Sequence, residues 1–265
     1  MEKENYRNFD RSEVTQFLFH PRGESGSGSS VENCQEILIP VENDIVIGSR
    51  FYLIHPNAPT ILFFHGNGEI VEDYDDIAQI YMKMNINFVV FDFRGYGRSS
   101  GSPSVTKMLQ DAHRLFEYSM KYLKNKGYGG ILVLMGRSLG SACALEIVAD
   151  YSEFIDGLII ESGFAFSIPL LKLIGIDVDR IGLTEKEGIG NNEKVKEFNK
   201  PTLIIHAEFD HIIPFSDGQF LFDNSPAADK SLLKIEGANH NDIFGRGIQE
   251  YMLSIKNLLE RIMNT

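Results

Sequence analysis

Three side chains in this sequence stand where they could share one chain of proton transfer. Gly136-Arg137-Ser138-Leu139-Gly140 fits the pattern G-x-S-x-G and lies between a buried apolar run and a helical one, the context in which the pattern lifts a serine above a sheet edge. The small residues at both ends let the backbone cross closely at angles that a side chain would obstruct. Ser138 also opens a helix, whose free N–H groups and positive dipole end favour negative charge developing beside it. A serine hydroxyl is a poor nucleophile until a base removes its proton, so this reading requires a histidine downstream, held by an acid. His240, in Gly237-Ala238-Asn239-His240-Asn241, follows the last strand-like run, and Asp210, in His206-Ala207-Glu208-Phe209-Asp210, follows the run before it. The chemistry expected of them is acyl transfer: Ser138 attacks a carbonyl, His240 shuttles the proton and Asp210 orients the imidazole.

Nearby residues offer competing uses. Glu161 closes the strand after the serine's helix and is a second candidate for the acid. His206, Asp210 and His211 offer donor atoms for a metal, but His206 lies inside a buried strand and strand neighbours face opposite sides, so no metal is expected. His65 reads as a structural hydrogen-bonder of its turn rather than a base. Gly95-x-Gly97-x-x-x-Gly101 misses the dinucleotide fingerprint by one residue and comes two units too late in the chain. The acidic group Glu69, Glu72, Asp73, Asp75 and Asp76 reads as the first turn and solvated face of a helix.

The elements that must position these residues are legible as alternating periods. CQEILIPV, from Cys34, and IVIGSRFYLI read as strands, and Thr60–Gly66 reads as a buried strand ending in a glycine-rich turn. Ile70, Tyr74, Ile77, Ile80, Tyr81 and Met84 then recur at helical spacing, Ile86–Phe93 is an apolar strand, and Val105–Tyr122 is helical again. Gly130–Gly136, a helix from Ser138 to about Tyr151, Gly157–Glu161, Pro201–Ala207, a helix near Ser216–Asp223, Ser231–Gly237 and an amphipathic helix to Met263 complete the alternation. Four strands apolar on both faces imply a parallel sheet covered by helices on either side, preceded by an antiparallel N-terminal ribbon. Two stretches break the pattern. Gly23–Ser30 follows a short apolar-alternating run, VTQFLFHP, and reads as a flexible loop. Residues 163–200 are too long for a simple connection and read as a helical insertion over the sheet, whose Phe164, Phe166, Leu170, Leu171, Leu173 and Ile174 either pack onto the domain or line a pocket.

At 265 residues, with 43% hydrophobic and 23% charged, the chain has ample material for one large α/β domain spanning 1–265. Its net charge of −12 repels phosphate backbones and anionic headgroups, so nucleic acid is not an expected partner. No apolar stretch approaches the roughly 18 residues of a membrane span, and the opening is too polar and acidic for a signal peptide. The cytoplasm is therefore the expected address. The two cysteines, Cys34 and Cys143, form no disulfide framework or metal-binding spacing and read as buried thiols.

Together, His65-Gly66-Asn67-Gly68, the Asp92-Phe93-Arg94-Gly95-Tyr96-Gly97 turn, the Ser138 motif, Asp210 with Ile213-Pro214 beyond it, and His240-Asn241 resemble an α/β-hydrolase fold serine hydrolase from about Val31 to the C-terminus. Within that superfamily the chain is similar to the short-cap group that includes depalmitoylase-like and serine aminopeptidase-like hydrolases. The resemblance implies that the backbone N–H groups of Asn67 and Leu139 form the oxyanion hole, with Gly68 as the near alternative. The expectation is a cofactor-free serine hydrolase acting on a small-molecule carboxylic ester or thioester, through an acyl-enzyme intermediate. Amide hydrolysis of the aminopeptidase kind comes second, and a catalytically silent binding module of the same fold third. Oligomeric state is not legible in the residues.

Overall fold

Strands that are buried on both faces need a helical layer on each side, and the chain supplies both. In a computed structural model, which describes residues 6–26 and 28–264, Cys34–Glu42 (β1), Ile45–Tyr52 (β2), Thr60–Phe64 (β3), Asn87–Phe91 (β4), Leu132–Arg137 (β5), Gly157–Glu161 (β6), Thr202–Ala207 (β7) and Lys230–Ile235 (β8) form one sheet in the order β1-β2-β4-β3-β5-β6-β7-β8. β1 pairs with β2, and β2 with β4, antiparallel. Every pairing from β4 to β8 is parallel. This is the expected α/β architecture with its antiparallel N-terminal strands.

The pleat sorts each strand between two cores. Leu62 and Phe64 of β3 face a cluster that includes residues of Val105–Asn125 (α3), Gly140–Tyr151 (α4) and Phe215–Asn224 (α8). Ile61 and Phe63 face the other cluster, with Asp75–Lys83 (α2) and Ile243–Met263 (α9). Burying such side chains contributes about 1.5–3 kcal/mol each, which is why the sheet tolerates no polar face in its centre. Tyr81 of α2 stacks on Phe88 of β4 with ring centroids 4.4 Å apart, locking one helix onto the sheet.

The connection from β6 to β7 carries Ser167–Leu173 (α5), Val178–Ile181 (α6) and Asn191–Lys194 (α7). Lys194 ties it to the rest of the chain through Glu146 of α4, 2.6 Å away, and the Tyr6 hydroxyl at 3.0 Å. The VTQFLFHP run, alternating in sequence, falls largely in a helix, Ser12–Leu18 (α1), that buries Val14 and Leu18, four residues apart. Under two turns of helix give too few residues for the 3.6 period to stand out against a period of two. Around Ser27, which lies outside the described residues, the Gly23–Ser30 segment is bonded to its surroundings: Glu24 pairs with Arg50, the Ser25 amide with Glu72 and the Ser29 hydroxyl with Asp75. Among the described residues no helix is long and apolar enough to cross a membrane.

Five parallel strands end at one edge, and this is what assembles the site. The Gly66-Asn67 turn follows β3, Ser138 follows β5, Glu161 ends β6, Asp210 lies three residues past β7 and His240 five past β8. Open α/β sheets place their ligands outside this carboxyl edge.

Candidate active site

Ser138 occupies a strained turn. Its φ of +51° lies in the left-handed region that non-glycine residues rarely adopt. The glycines on either side are required by contact: a Cβ on Gly136 would come 2.4 Å from the Gly140 carbonyl oxygen, and one on Gly140 would come 2.1 Å from that of Phe64. The Ser138 amide donates to the Glu161 carbonyl at 2.9 Å, and the Ser141 hydroxyl donates to the Ser138 carbonyl at 2.6 Å, fixing the turn from both sides.

The three residues singled out for proton transfer come together. His240 Nε2 lies 3.0 Å from Ser138 Oγ, and its Nδ1 lies 2.7 Å from Asp210 Oδ2. Because an ionised carboxylate only accepts, Nδ1 carries the proton and Nε2 is left to accept from the serine hydroxyl. The Asp210 side chain is fully enclosed, and its Oδ1 accepts from the Ile212 and Ile213 amides at 3.0 and 2.8 Å. Burial pushes the Asp210 carboxyl up, but the hydrogen bond and charge of His240, with the two amides, outweigh it and hold the group below the usual carboxylate range.

Glu161 faces elsewhere. Its Oε1 accepts from Arg137 Nε at 3.0 Å and its Oε2 from the Tyr251 hydroxyl at 2.7 Å. Burial, against the nearby Arg137, raises its pKa. His65 is fully buried, with Nδ1 2.8 Å from the Gly66 carbonyl and Nε2 3.4 Å from Asp92, and is not among the residues lining the cavity around Ser138. His206 directs Nε2 to the Ile213 carbonyl at 2.8 Å, bracing the loop that carries Asp210.

Asn67 and Leu139 line the same cavity as Ser138 and His240. Among the described residues neither main-chain N–H finds a main-chain acceptor outside the regular elements. The Asn67 side chain is clamped: its Oδ1 accepts from the Tyr96 hydroxyl at 2.6 Å and the His20 amide at 2.9 Å, and its Nδ2 lies 2.8 Å from His20 Nδ1. The cavity is about 350 Å³, with Leu170 and Ile174 of the β6–β7 connection and Ile212 forming one apolar side. Phe17 and Leu18 of α1 form another, a wall the sequence reading did not include. Of the other apolar residues weighed in that connection, Phe164 and Leu171 are buried in the core, Phe166 packs on Phe220 and Leu173 is exposed.

The sequence reading also missed a buried ionic group behind the serine. Arg137, the second residue of G-x-S-x-G, donates from Nη1 to Glu69 and from Nη2 to the His240 carbonyl at 2.7 Å, besides its bond to Glu161. Glu69 in turn accepts from the Gly66 amide at 2.7 Å and the Tyr74 hydroxyl at 2.5 Å. The other acids of that run open helical turns as expected, Glu72 and Asp73 in a 3-10 turn and Asp75 and Asp76 in α2, with Asp73 also paired to Arg22 and Asp75 to Arg50. The available signal was a charged residue at the inner end of an apolar strand, where burial demands partners.

Residues 55–175 match the family described as serine aminopeptidase, S33. The solved structure of the esterase Pf2001 from Pyrococcus furiosus superimposes with a TM-score of 0.72 at 16% identity, covering 92% of this chain and 97% of that one. This chain has the α/β-hydrolase fold. It is 30% identical over 192 residues to protein bem46 of Schizosaccharomyces pombe, covering 69% of this chain and 62% of bem46. It is 33% identical over 193 residues to the lysophosphatidylserine lipase ABHD12 of Danio rerio, covering 66% of this chain and 49% of that protein. The chain thus spans about half to three-fifths of the length of these relatives.

Proposed function

We propose that this protein is a serine hydrolase that cleaves a carboxylic ester or thioester through an acyl-enzyme intermediate. Ser138 is the nucleophile, His240 the general base and then acid, Asp210 the group that fixes the imidazole tautomer, and the Asn67 and Leu139 amides the oxyanion hole. The observation that carries this reading is the continuous Asp210–His240–Ser138 chain, at 2.7 and 3.0 Å, on the wall of a largely apolar cavity. As Ser138 attacks the acyl carbon, its proton passes to His240 Nε2 and the carbonyl oxygen gains negative charge between the two amides. Collapse expels the alcohol or thiol, which takes the proton from His240. A water, deprotonated by the same nitrogen, then releases the acid and restores Ser138. No cofactor enters any step. The whole chain acts as one domain in this proposal, with residues 163–200 as its short cap and a cytoplasmic address in keeping with two free thiols.

The family description raises amide hydrolysis of the aminopeptidase kind as the second reading. Such an activity needs a carboxylate free to hold the substrate's amino group, and Glu69, on the cavity wall, is already engaged by Arg137, Gly66 and Tyr74. The apolar sides of α1 and the proposed cap instead favour an acyl chain, in line with the lipase among the relatives. Labelling with a fluorophosphonate probe, followed by a panel of acyl esters, thioesters and aminoacyl amides, tests the proposal. Wild type should label and prefer acyl esters of moderate length, and Ser138→Ala should lose labelling and more than about a thousandfold of activity with its fold intact. Equal hydrolysis by mutant and wild type would sink it, and faster cleavage of the amides would transfer it to the second reading.

A further inference from the structure

The proton-transfer residues come from loops after three different strands, and the oxyanion turn from a fourth. Their mutual geometry must be held by something that reaches all of them. The Arg137 guanidinium has three separate acceptors: Glu161 at the end of β6, Glu69 beside the oxyanion turn, and the main-chain carbonyl of His240. Glu69 extends the reach to the Gly66 amide, the residue before Asn67. We propose that Arg137 is a positioning residue, its planar fork pinning the His240 loop and, through Glu69, the oxyanion turn in fixed relation to Ser138. This inference rests on the serine-hydrolase reading above.

Two arguments favour positioning over plain stabilisation. A buried ionic group contributes little net stability compared with well-packed apolar side chains of similar volume, because desolvation offsets the attraction. Here the Arg137 side chain is only 11% exposed and that of Glu161 4%. What an apolar replacement could not do is bind the carbonyl of the histidine. The demand is also geometric, since the three acceptors lie in different directions, which suits a rigid planar donor and not the single point of an ammonium.

Lysine at this position keeps the charge and loses the fork, whereas glutamine loses both, so Arg137→Lys and Arg137→Gln separate the two effects. Rates are to be expressed per active site titrated with the fluorophosphonate, so that a smaller folded fraction does not register as slower chemistry. For Arg137→Lys, kcat per titrated site should fall about tenfold to a hundredfold with KM within about threefold, the cost of a misplacement near 1 Å. The acid limb of its kcat/KM profile should coincide with wild type. Among the described residues the charged and titratable groups around the imidazole include Asp210 and His206 from β7 and its loop, Glu161 from β6, Arg137 with Glu69 behind it, and His20 on the wall of the same cavity. In Arg137→Gln the carboxylates lose their cation, the imidazolium is stabilised, and the limb should move to higher pH by about half a unit or more.

Arg137→Lys decides the matter if the glutamine variant does not fold. A lysine variant with wild-type kcat per titrated site overturns the proposal, as does one whose loss lies in KM alone. One too unstable to assay also overturns it, by making Arg137 a stabilising residue first. Failure of wild type to label at Ser138 would instead sink the serine-hydrolase reading itself.

Discussion

Two carboxylates stand at the ends of neighbouring strands on the same sheet edge, and they face opposite ways. Glu161 is the last residue of β6, so the pleat still governs it: it shares a face with Ile159, two residues earlier, which packs in the α9 layer. That side holds Tyr251 and Arg137, and Glu161 bonds both. Asp210 lies three residues beyond the end of β7, free of the pleat, in a turn whose Ile212 and Ile213 amides aim its second oxygen at His240. Closeness to the sheet edge therefore does not make a carboxylate the partner of the imidazole. Release from strand geometry and a turn that grips one oxygen do.

The sharpest way to break this comparison is Asp210→Asn. If the carboxylate fixes the imidazole tautomer, the amide should lower kcat by roughly four orders of magnitude while KM changes little. A fall of tenfold or less, measured with a reactive ester, would remove Asp210 from the role. Glu161→Gln should do the reverse: kcat within about tenfold of wild type, with a stability loss of about 1–3 kcal/mol as Arg137 and Tyr251 lose a charged acceptor in a buried site. Denaturant titration checks the stability and steady-state kinetics the rate. A loss of kcat matching that of Asp210→Asn would make Glu161 the acid.

The smallest effect, and the most discriminating, is in pH. Asp210 has a native pKa held below its unfolded value, so its contribution to stability is complete above about pH 4 and is lost as pH falls through the native value. Glu161 has a native pKa raised by burial, so its contribution is complete below about pH 4 and is lost as pH rises through the native value. Melting temperatures measured against pH should show Asp210→Asn flattening the acid branch and Glu161→Gln flattening the opposite one. Identical profiles for both variants would contradict the contrast drawn between the two sites.

Much of this was legible before any coordinate. The strand and helix periods place the elements of the sheet within a few residues, because an apolar strand buried on both faces and an amphipathic helix have different periods and each must be satisfied locally. The order of Ser138, Asp210 and His240, each beyond a strand's carboxyl end, predicted loops that could meet, and the structure brings them within hydrogen-bond distance. The helix Ser12–Leu18 was not legible as one, and its place beside Ser138 depends on packing against elements far along the chain. The acidic run from Glu69 to Asp76 opens helical turns as expected, but its partners were not legible, for a related reason. A charge pattern suited to a solvated helix face looks the same in sequence when its partners, such as Arg137 and Arg50, come from other strands.

By itself, then, the sequence determined the sheet, the strained turn at Ser138 that only glycines can flank, and the residue types at each strand end. These follow from local sterics and burial, which act over a few residues. Which carboxylate meets the imidazole, and that one arginine spans the Glu69, Glu161 and His240 segments, were decided by tertiary structure alone. Those contacts join residues 24 to 103 positions apart, and the directions in which their donors and acceptors point are fixed only when strands twist, helices pack and loops close.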